Sequence, residues 1–117
     1  GIMVQESLVA MEELSKDNIN VTLINISTLK PIDSELIIEE TRSHGALITA
    51  EDHNIIGGLG DAVGQVLLKN QISVPFERIA VEDQFAETGT GPQLFDKYGL
   101  SHKNIVQVVK STLKKKR

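Results

Sequence analysis

A chain of 117 residues with 40% hydrophobic and 24% charged side chains has the composition of one ordinary globular domain, which excludes disordered and fibrous classes. The chain has no cysteine, which excludes a disulfide framework and a thiolate metal site and fits a reducing compartment. With no cysteine, the cytoplasm is the expected compartment. The net charge of −4 argues against a general nucleic-acid binder, and no apolar run approaches the ~20 residues that span a bilayer.

The first part of the chain predicts helices that alternate with buried strands. Ile2 to Lys16 places apolar side chains on one face of a helix. Val21 to Ile26 is a β-branched run with apolar residues on both faces, which is typical of a strand buried between helix layers and paired in parallel. Pro31 then interrupts the pattern, and Asp33 predicts the cap of a helix that extends to about Ser43.

The middle of the chain repeats this alternation. Ala46 to Ala50 is a second short apolar run, and Phe76 to Val81 follows Pro75 as a third predicted strand. Between them lies the clearest helix signal of the chain. Its apolar residues recur at the spacing of one helix face: Leu59, Ala62, Val63, Val66 and Leu67.

The last part of the chain predicts two helices. Thr90, with Gln93 three residues later, has the pattern of a capping box that opens a short helix ending at Tyr98 and Gly99. Ser101 predicts the cap of a final helix. Its predicted inner face consists of Ile105, Val108, Val109, Thr112 and Leu113. The alternation of helices and strands predicts a parallel α/β sheet with helices on both faces.

The stretch EDHNIIGGLGDAVGQVL is the first candidate site, because a strand, a glycine turn and a helix start can together bind a phosphate. The dinucleotide fingerprint G-x-G-x-x-G fails at its last glycine, and no Walker sequence is present. The acidic residues of the stretch would also repel a phosphate. We therefore expect a tight turn in which Gly57, Gly58 and Gly60 supply unusual backbone angles and close packing of the helix on the strand.

The acidic residues beside His53 are the second candidate site. Glu51, Asp52 and His53 could form an acid/base pair or part of a metal site, but neighbours in sequence rarely converge on one atom, and the other two histidines lie at unrelated predicted helix ends. Side chains at the carboxyl end of a parallel strand commonly contact ligands or partners. We therefore predict that these three residues and Asn54 form a contact surface.

The remaining signals for catalysis are weak. Glu82, Asp83 and Glu87 flank Phe85 after a predicted strand, and their pattern favours a solvated loop over a carboxylate pair for acid/base work. No G-x-S-x-G sequence or cysteine offers a nucleophile. The cationic tail from Lys114 to Arg117 complements a helix dipole, with binding to an acidic surface as the alternative. From these residues alone, no active site is predicted.

Three stretches of the chain nevertheless resemble a known family. LINISTLKPID, ALITAEDHNIIGGLGDAVGQVL and RIAVEDQFAETGTGPQLFDKYGLSHKNIVQVVK look like the C-terminal domain of transketolase-type, thiamine-diphosphate-dependent enzymes. The specific parts are the turn from Lys30 to Asp33, the loop from Asp52 to Gly60, and Phe85 with ETGT leading to LFDKYGL. The resemblance covers nearly the whole chain, and transketolase is the subfamily it indicates.

This resemblance implies a fold and a place within a larger enzyme. The fold would be a three-layer α/β/α sandwich with a mostly parallel sheet, and residues 1–117 would be one domain of that enzyme. In the family a strand precedes the first helix and would end near Gly1, so the first strand is expected to be missing from this chain. The isolated fragment is expected to be inactive. Because one strand is absent, it is also expected to be marginally stable or self-associating.

The resemblance also implies a function. Transketolase transfers a two-carbon ketol unit between sugar phosphates, and its thiamine diphosphate and Mg²⁺ are held by the preceding domains. No catalytic, cofactor-binding or metal-binding residue is therefore expected in this chain, which would serve packing and assembly in a homodimeric parent. The loop expected to contact a neighbouring domain or subunit comprises Glu51, Asp52, His53, Asn54, Gly57, Gly58 and Gly60.

Two alternatives remain open from the sequence. The first is the equivalent domain of a 2-oxo acid dehydrogenase beta subunit or of deoxyxylulose phosphate synthase, which share this fold by resemblance. The second is a non-catalytic module that docks a partner. Donor and acceptor substrates separate the enzymes, and capture of a discrete partner without an effect on turnover would favour the module.

Overall fold

The described part of the protein consists of helices that alternate with two strands. The structure is a computed structural model, and it describes residues 2–26, 30–51, 58–80 and 102–115. The elements are α1 (Ile2–Lys16), α2 (Ser34–Arg42), β1 (Leu47–Glu51), α3 (Leu59–Lys69), β2 (Phe76–Ala80) and α4 (His102–Leu113). This order confirms the predicted α/β class.

The two strands form a parallel ladder. Leu47 lies opposite Phe76, and the register continues to Glu51 opposite Ala80. Parallel strands require a crossover connection, which here contains α3. The parallel pairing predicted from the apolar runs is therefore confirmed for β1 and β2.

Helices cover both faces of this ladder. The α1/α4 face is a cluster of buried residues from α1, β2 and α4: Ala10, Leu14, Ile79, Ile105 and Val109. The α2/α3 face has a second cluster: Ile37, Val63, Val66 and Leu67. β1 contributes to both, since Ile48 and Ala50 pack on the first and Leu47 on the second. Successive residues of a strand point to opposite faces, so the arrangement has three layers, as predicted.

The helix ends follow the sequence closely. Asp33 is the N-cap of α2 and its Oδ1 accepts the N–H of Leu36 at 3.1 Å, which confirms the predicted cap. The turn after α1 closes with the Ile19 N–H donating to the Leu14 carbonyl at 3.0 Å, around Asn18 at a φ of 61°. α3 ends in the same way around Gln71, whose φ is 55°. Both turns are Schellman motifs that satisfy the last carbonyls of a helix.

One predicted strand is wrong. Residues 21–26 are described but form no strand, and within the described part of the chain they share no backbone hydrogen bond with β1. A strand exists only where a neighbouring backbone pairs with it, and a cleft separates these residues from β1. β1 itself is shifted by one residue from the prediction. The predictions at Val81, from Thr90 to Gly99 and at Ser101 lie outside the described residues.

Candidate functional site

The end of β1 is joined to the start of α3 by a buried carboxylate. Glu51 is the last residue of β1 and is only 9% exposed. Its Oε2 accepts the backbone N–H of Leu59, the first residue of α3, at 2.7 Å. The first N–H groups of a helix lack partners within the helix, and a negative charge is favourable at this end. Glu51 therefore fixes the helix start against the strand end.

This bond determines what the glycine turn can bind. Gly58 is the N-cap of α3 and supplies no side-chain cap, so the carboxylate of Glu51 takes that position. Asp61 adds a second acidic group in the first turn of the helix. An anion approaching this helix end would meet one carboxylate already bonded there and another beside it. The described residues do not fit a phosphate or diphosphate.

Of the two properties predicted for these glycines, the described ones show close packing at Gly60 but no unusual backbone angle at Gly58. Gly58 has a φ of −90° and a ψ of −162°, a backbone conformation that other residues also adopt, so the expected unusual angle is absent there. Gly60 meets the second expectation, which is close packing. A Cβ built on Gly60 would collide with the guanidinium of Arg78, which extends across the helix start from β2.

Arg78 is a member of this site that the sequence did not indicate. Its Nη1 donates to Oδ1 of Asp61 at 2.8 Å, and both side chains are partly buried. The pair joins the middle of β2 to the first turn of α3. The sequence signal that could have pointed to it is an arginine within the short FERIA strand, which a purely apolar pattern would not contain.

The predicted contact residues are therefore placed only in part. Glu51, Gly58 and Gly60 lie together where β1 ends and α3 begins. The other four predicted members, which are Asp52, His53, Asn54 and Gly57, lie outside the described residues. The described side chains of this site are acidic and basic groups that join elements to each other.

The two described histidines lie elsewhere and hold helices in place. Nε2 of His44 is 2.9 Å from Oγ1 of Thr22, and its Nδ1 is 2.7 Å from the carbonyl oxygen of Glu40. Nδ1 of His102 is 3.2 Å from Oε2 of Glu6, which joins α4 to α1. Among the residues that the structure describes, no group of three or more histidine or carboxylate side chains is arranged to hold a metal ion.

A cleft of about 520 Å³ opens beside the same carboxylate. It lies between β1 and residues 21–26, and Thr41 and Glu51 are among its lining residues. Among the residues that the structure describes, the buried Oγ1 of Thr41 and Oε1 of Glu51 have no hydrogen-bond partner. Leaving a buried polar group without a partner costs about 1–3 kcal/mol.

Across the described ranges, no helix combines the length and the apolar character that crossing a membrane requires.

Comparison with known proteins indicates the family. The model of the family described as "Transketolase, C-terminal domain" matches residues 1–105. The chain is 40% identical over 116 residues to the 6-deoxy-6-sulfo-D-fructose transketolase subunit SqwH of Clostridium sp. strain MSTE9, covering 99% of this chain and 36% of that protein. It is 35% identical over 111 residues to the 1-deoxy-D-xylulose-5-phosphate synthase of Syntrophotalea carbinolica, covering 95% of this chain and 18% of that protein.

A solved structure gives the same result in three dimensions. It is described as a split gene transketolase in an inactive beta4 tetramer, and it matches with a TM-score of 0.91 and 40% identity, covering 100% of this chain and 38% of that chain. The chain thus spans 36% of the transketolase subunit and 18% of the synthase. The similarity concerns one part of these larger proteins.

Proposed function

The chain belongs to the transketolase C-terminal domain family, and from that membership we propose that the protein containing it transfers a two-carbon ketol unit between sugar phosphates. The observation that carries this proposal is the family match over residues 1–105, together with the 40% identity to a transketolase subunit. The fold similarity to a split gene transketolase supports it.

We propose that thiamine diphosphate and Mg²⁺ are bound by other parts of the protein. The described residues do not fit a diphosphate, because Glu51 bonds to the start of α3 and Asp61 stands beside it. A cofactor of this kind supplies the carbanion chemistry, while the protein supplies orientation and electrostatics. The role of this chain is then packing and assembly.

The contact surface for that assembly is proposed at the carboxyl end of β1. It comprises Glu51, Asp52, His53, Asn54, Gly57, Gly58 and Gly60. The support is the bond between Glu51 and Leu59, which brings the two flanks of residues 52–57 together at one edge of the sheet. We further propose that the parent protein is a homodimer and that it is cytoplasmic. The absence of cysteine is consistent with the reducing conditions of that compartment.

Replacement of His53 by alanine in the full-length protein tests this surface. We expect weaker subunit or domain association, seen as a dimer that dissociates at higher protein concentration in sedimentation measurements. Gln107→Ala is the control, since Gln107 is exposed on α4. Equal association for the wild type and both variants would refute the contact role.

The activity is tested by substrate choice. The full-length protein is assayed with a ketose phosphate donor and an aldose phosphate acceptor, and in parallel with pyruvate as donor. Ketol transfer establishes the proposed reaction. Activity with pyruvate alone would favour the synthase alternative, which the 35% identity to a deoxyxylulose phosphate synthase supports.

The isolated chain is proposed to be inactive. The structural relative is described as an inactive tetramer, and the described residues of this chain carry no group of metal ligands. Turnover by the purified 117-residue chain would overturn this proposal without affecting the reaction assigned to the whole protein.

A further inference from the structure

We propose that Asp61 and Arg78 are positioning residues for subunit association. Their ion pair holds the first turn of α3 against β2, and the proposed contact surface at that turn associates tightly only while the pair is intact. The inference rests on the contact role proposed above for the carboxyl end of β1. It goes beyond that role, because neither residue belongs to the proposed surface and both act on it through the position of α3.

The first observation is that two neighbouring strands bond to the same helix start. Glu51, at the end of β1, accepts the backbone N–H of Leu59 at 2.7 Å. Arg78, in the middle of β2, donates through Nη1 to Oδ1 of Asp61 at 2.8 Å. Thr49 lies opposite Arg78 in the ladder, so Glu51, two residues further along β1, points to the same face of the sheet as Arg78. The helix start is therefore bonded to both strands of the described ladder.

The second observation is that the two bonds are made at different levels of the helix. The bond of Glu51 is made to Leu59, the first residue of α3. The bond of Arg78 is made to Asp61, which lies about 3 Å further along the helix axis. A bond at one residue fixes a position, whereas bonds at two residues also fix a direction. The pair of Asp61 and Arg78 therefore determines how the first turn of α3 is oriented on the sheet.

The third observation is that this pair is partly shielded from water. The side chains of Asp61 and Arg78 are both less exposed than either side chain of the pair formed by Lys110 and Asp17 on the other face. Water and salt weaken exposed ion pairs most. The carboxylate of Asp61 also lies in the first turn of a helix, where a negative charge is favourable. The pair therefore holds its helix more firmly than an exposed pair does.

The fourth observation is that the sequence leaves room for the pair. The guanidinium of Arg78 extends across Gly60, and a Cβ built there would collide with it. Glycine is a poor helix former, yet it occupies the second position of α3. The space that the arginine needs accounts for this choice. The route of Arg78 across the helix start is therefore reflected in the sequence of the helix itself.

The consequence for association follows from where the proposed surface lies. Gly58 directly precedes Leu59, and Gly60 lies between Leu59 and Asp61, the two residues of α3 that are bonded to the strands. Any movement of this turn therefore moves the described part of the surface. A surface that must first be ordered associates more weakly, because the ordering costs free energy at the moment of binding. Loss of the pair is expected to weaken association without removing a contact residue.

Asp61→Asn in the full-length protein tests the pair, because it keeps the size of the side chain and removes its charge. We expect the dissociation constant for subunit association, measured by sedimentation over a dilution series, to rise by about fivefold. Asp17→Asn is the matched control. It removes the charge from the exposed pair with Lys110 and should change the constant by less than about twofold. Equal dissociation constants for the two variants would overturn the proposal.

Two substitutions of Arg78 separate positioning from a general effect on stability. Arg78→Lys keeps a cation beside Asp61, whereas Arg78→Met keeps an unbranched side chain without the charge. We expect the lysine variant to associate about threefold more tightly than the methionine variant. In the methionine background, Asp61→Asn should weaken association by less than about twofold further, because the pair is already lost. Equal association of the lysine and methionine variants, or fully additive effects, would overturn the proposal.

The variant His53→Ala separates this proposal from the contact role on which it rests. If His53→Ala weakens association and Asp61→Asn does not, the contact surface is supported and the positioning role is wrong. If neither weakens association, the contact surface is wrong and the positioning role is wrong with it. Weakening by both supports both. Weakening by Asp61→Asn alone supports the positioning role and refutes the contact role of His53.

Discussion

On the α2/α3 face of the sheet, polar groups join the helix directly to the strands, whereas on the α1/α4 face they join mainly helix to helix. Glu51 bonds to the first residue of α3, and Arg78 bonds to Asp61. On the other face His102 meets Glu6, and Lys110 meets Asp17, at the margins of a cluster that is otherwise apolar. Both faces are well packed, but among the described helices it is α3 whose first residue is bonded to a strand end.

This difference matches the division of roles proposed here. The start of α3 borders the predicted contact surface. A helix start that is bonded to the end of β1 and to the middle of β2 holds such a surface in one position. Two pairs on the α1/α4 face are more exposed: Lys110 with Asp17, at 44% and 53%, and Lys115 with Glu77, at 61% and 39%. Pairs of this kind contribute little to stability. That face therefore depends on its apolar contacts.

The largest expected effect tests this dependence on packing. Ile79→Ala removes a side chain that is 4% exposed in the centre of the α1/α4 cluster, and large-to-small changes of this type cost about 2–5 kcal/mol. Chemical denaturation of the chain measures the loss. The control Leu68→Ala changes a residue that is 81% exposed, and should alter the free energy of unfolding by less than about 0.5 kcal/mol. Equal costs would show that this cluster is not formed.

The second prediction compares one polar tie from each face. Glu51→Ala removes a buried bond to a helix N-terminus, and hydrogen bonds to charged groups contribute about 1.5–3 kcal/mol, so we expect a loss of about 2 kcal/mol. His102→Ala removes a partly exposed pair and should cost less than about 1 kcal/mol. Glu51→Gln keeps an acceptor for Leu59 and should lie between the two. A larger loss at His102 would reverse the comparison.

Most of the elements on both faces could be predicted from the sequence, because the signals that mark a helix or a strand are local patterns of residues. The apolar spacing located α1 and α3, and the carboxylate of Asp33 located the start of α2. It failed at residues 21–26, whose composition is that of a buried strand. Composition reports burial, but a strand also needs a paired neighbour, and in the described chain the cleft occupies that position.

The site was less predictable, since its bonds join residues that are distant in sequence. Glu51 was expected on the contact surface, but its bond to Leu59 spans eight residues and depends on where the helix starts. Arg78 was not indicated at all, because its contact with Asp61 spans 17 residues and joins a strand to a helix. Close packing at Gly60 was predicted, but its partner, the guanidinium of Arg78, was not.

The third prediction compares alanine substitutions at two glycines of α3, one of which is packed against Arg78 and one of which is not. Gly64→Ala places a methyl group 3.6 Å from the ring of Phe76, an ordinary contact, and should stabilise the chain by about 0.4–1 kcal/mol. Gly60→Ala gains the same helix propensity but displaces Arg78 from Asp61. We expect the two variants to differ by about 1 kcal/mol in thermal or chemical unfolding. Equal stabilities would mean that Arg78 moves away at no cost.

The smallest effect compares the turns that close α1 and α3, one on each face. Asn18 and Gln71 both occupy the left-handed region, with φ of 61° and 55°. Asparagine tolerates this conformation because its side chain is short and polar. A longer side chain is destabilised by the full steric clash, and glycine, without a Cβ, has no such clash. Gln71→Gly should therefore stabilise by about 1 kcal/mol and Asn18→Gly by a few tenths. Both turns make the same backbone bonds, so the difference between the two gains in unfolding free energy measures the effect of the side chain alone. A larger gain for Asn18→Gly than for Gln71→Gly would contradict this account of the two turns.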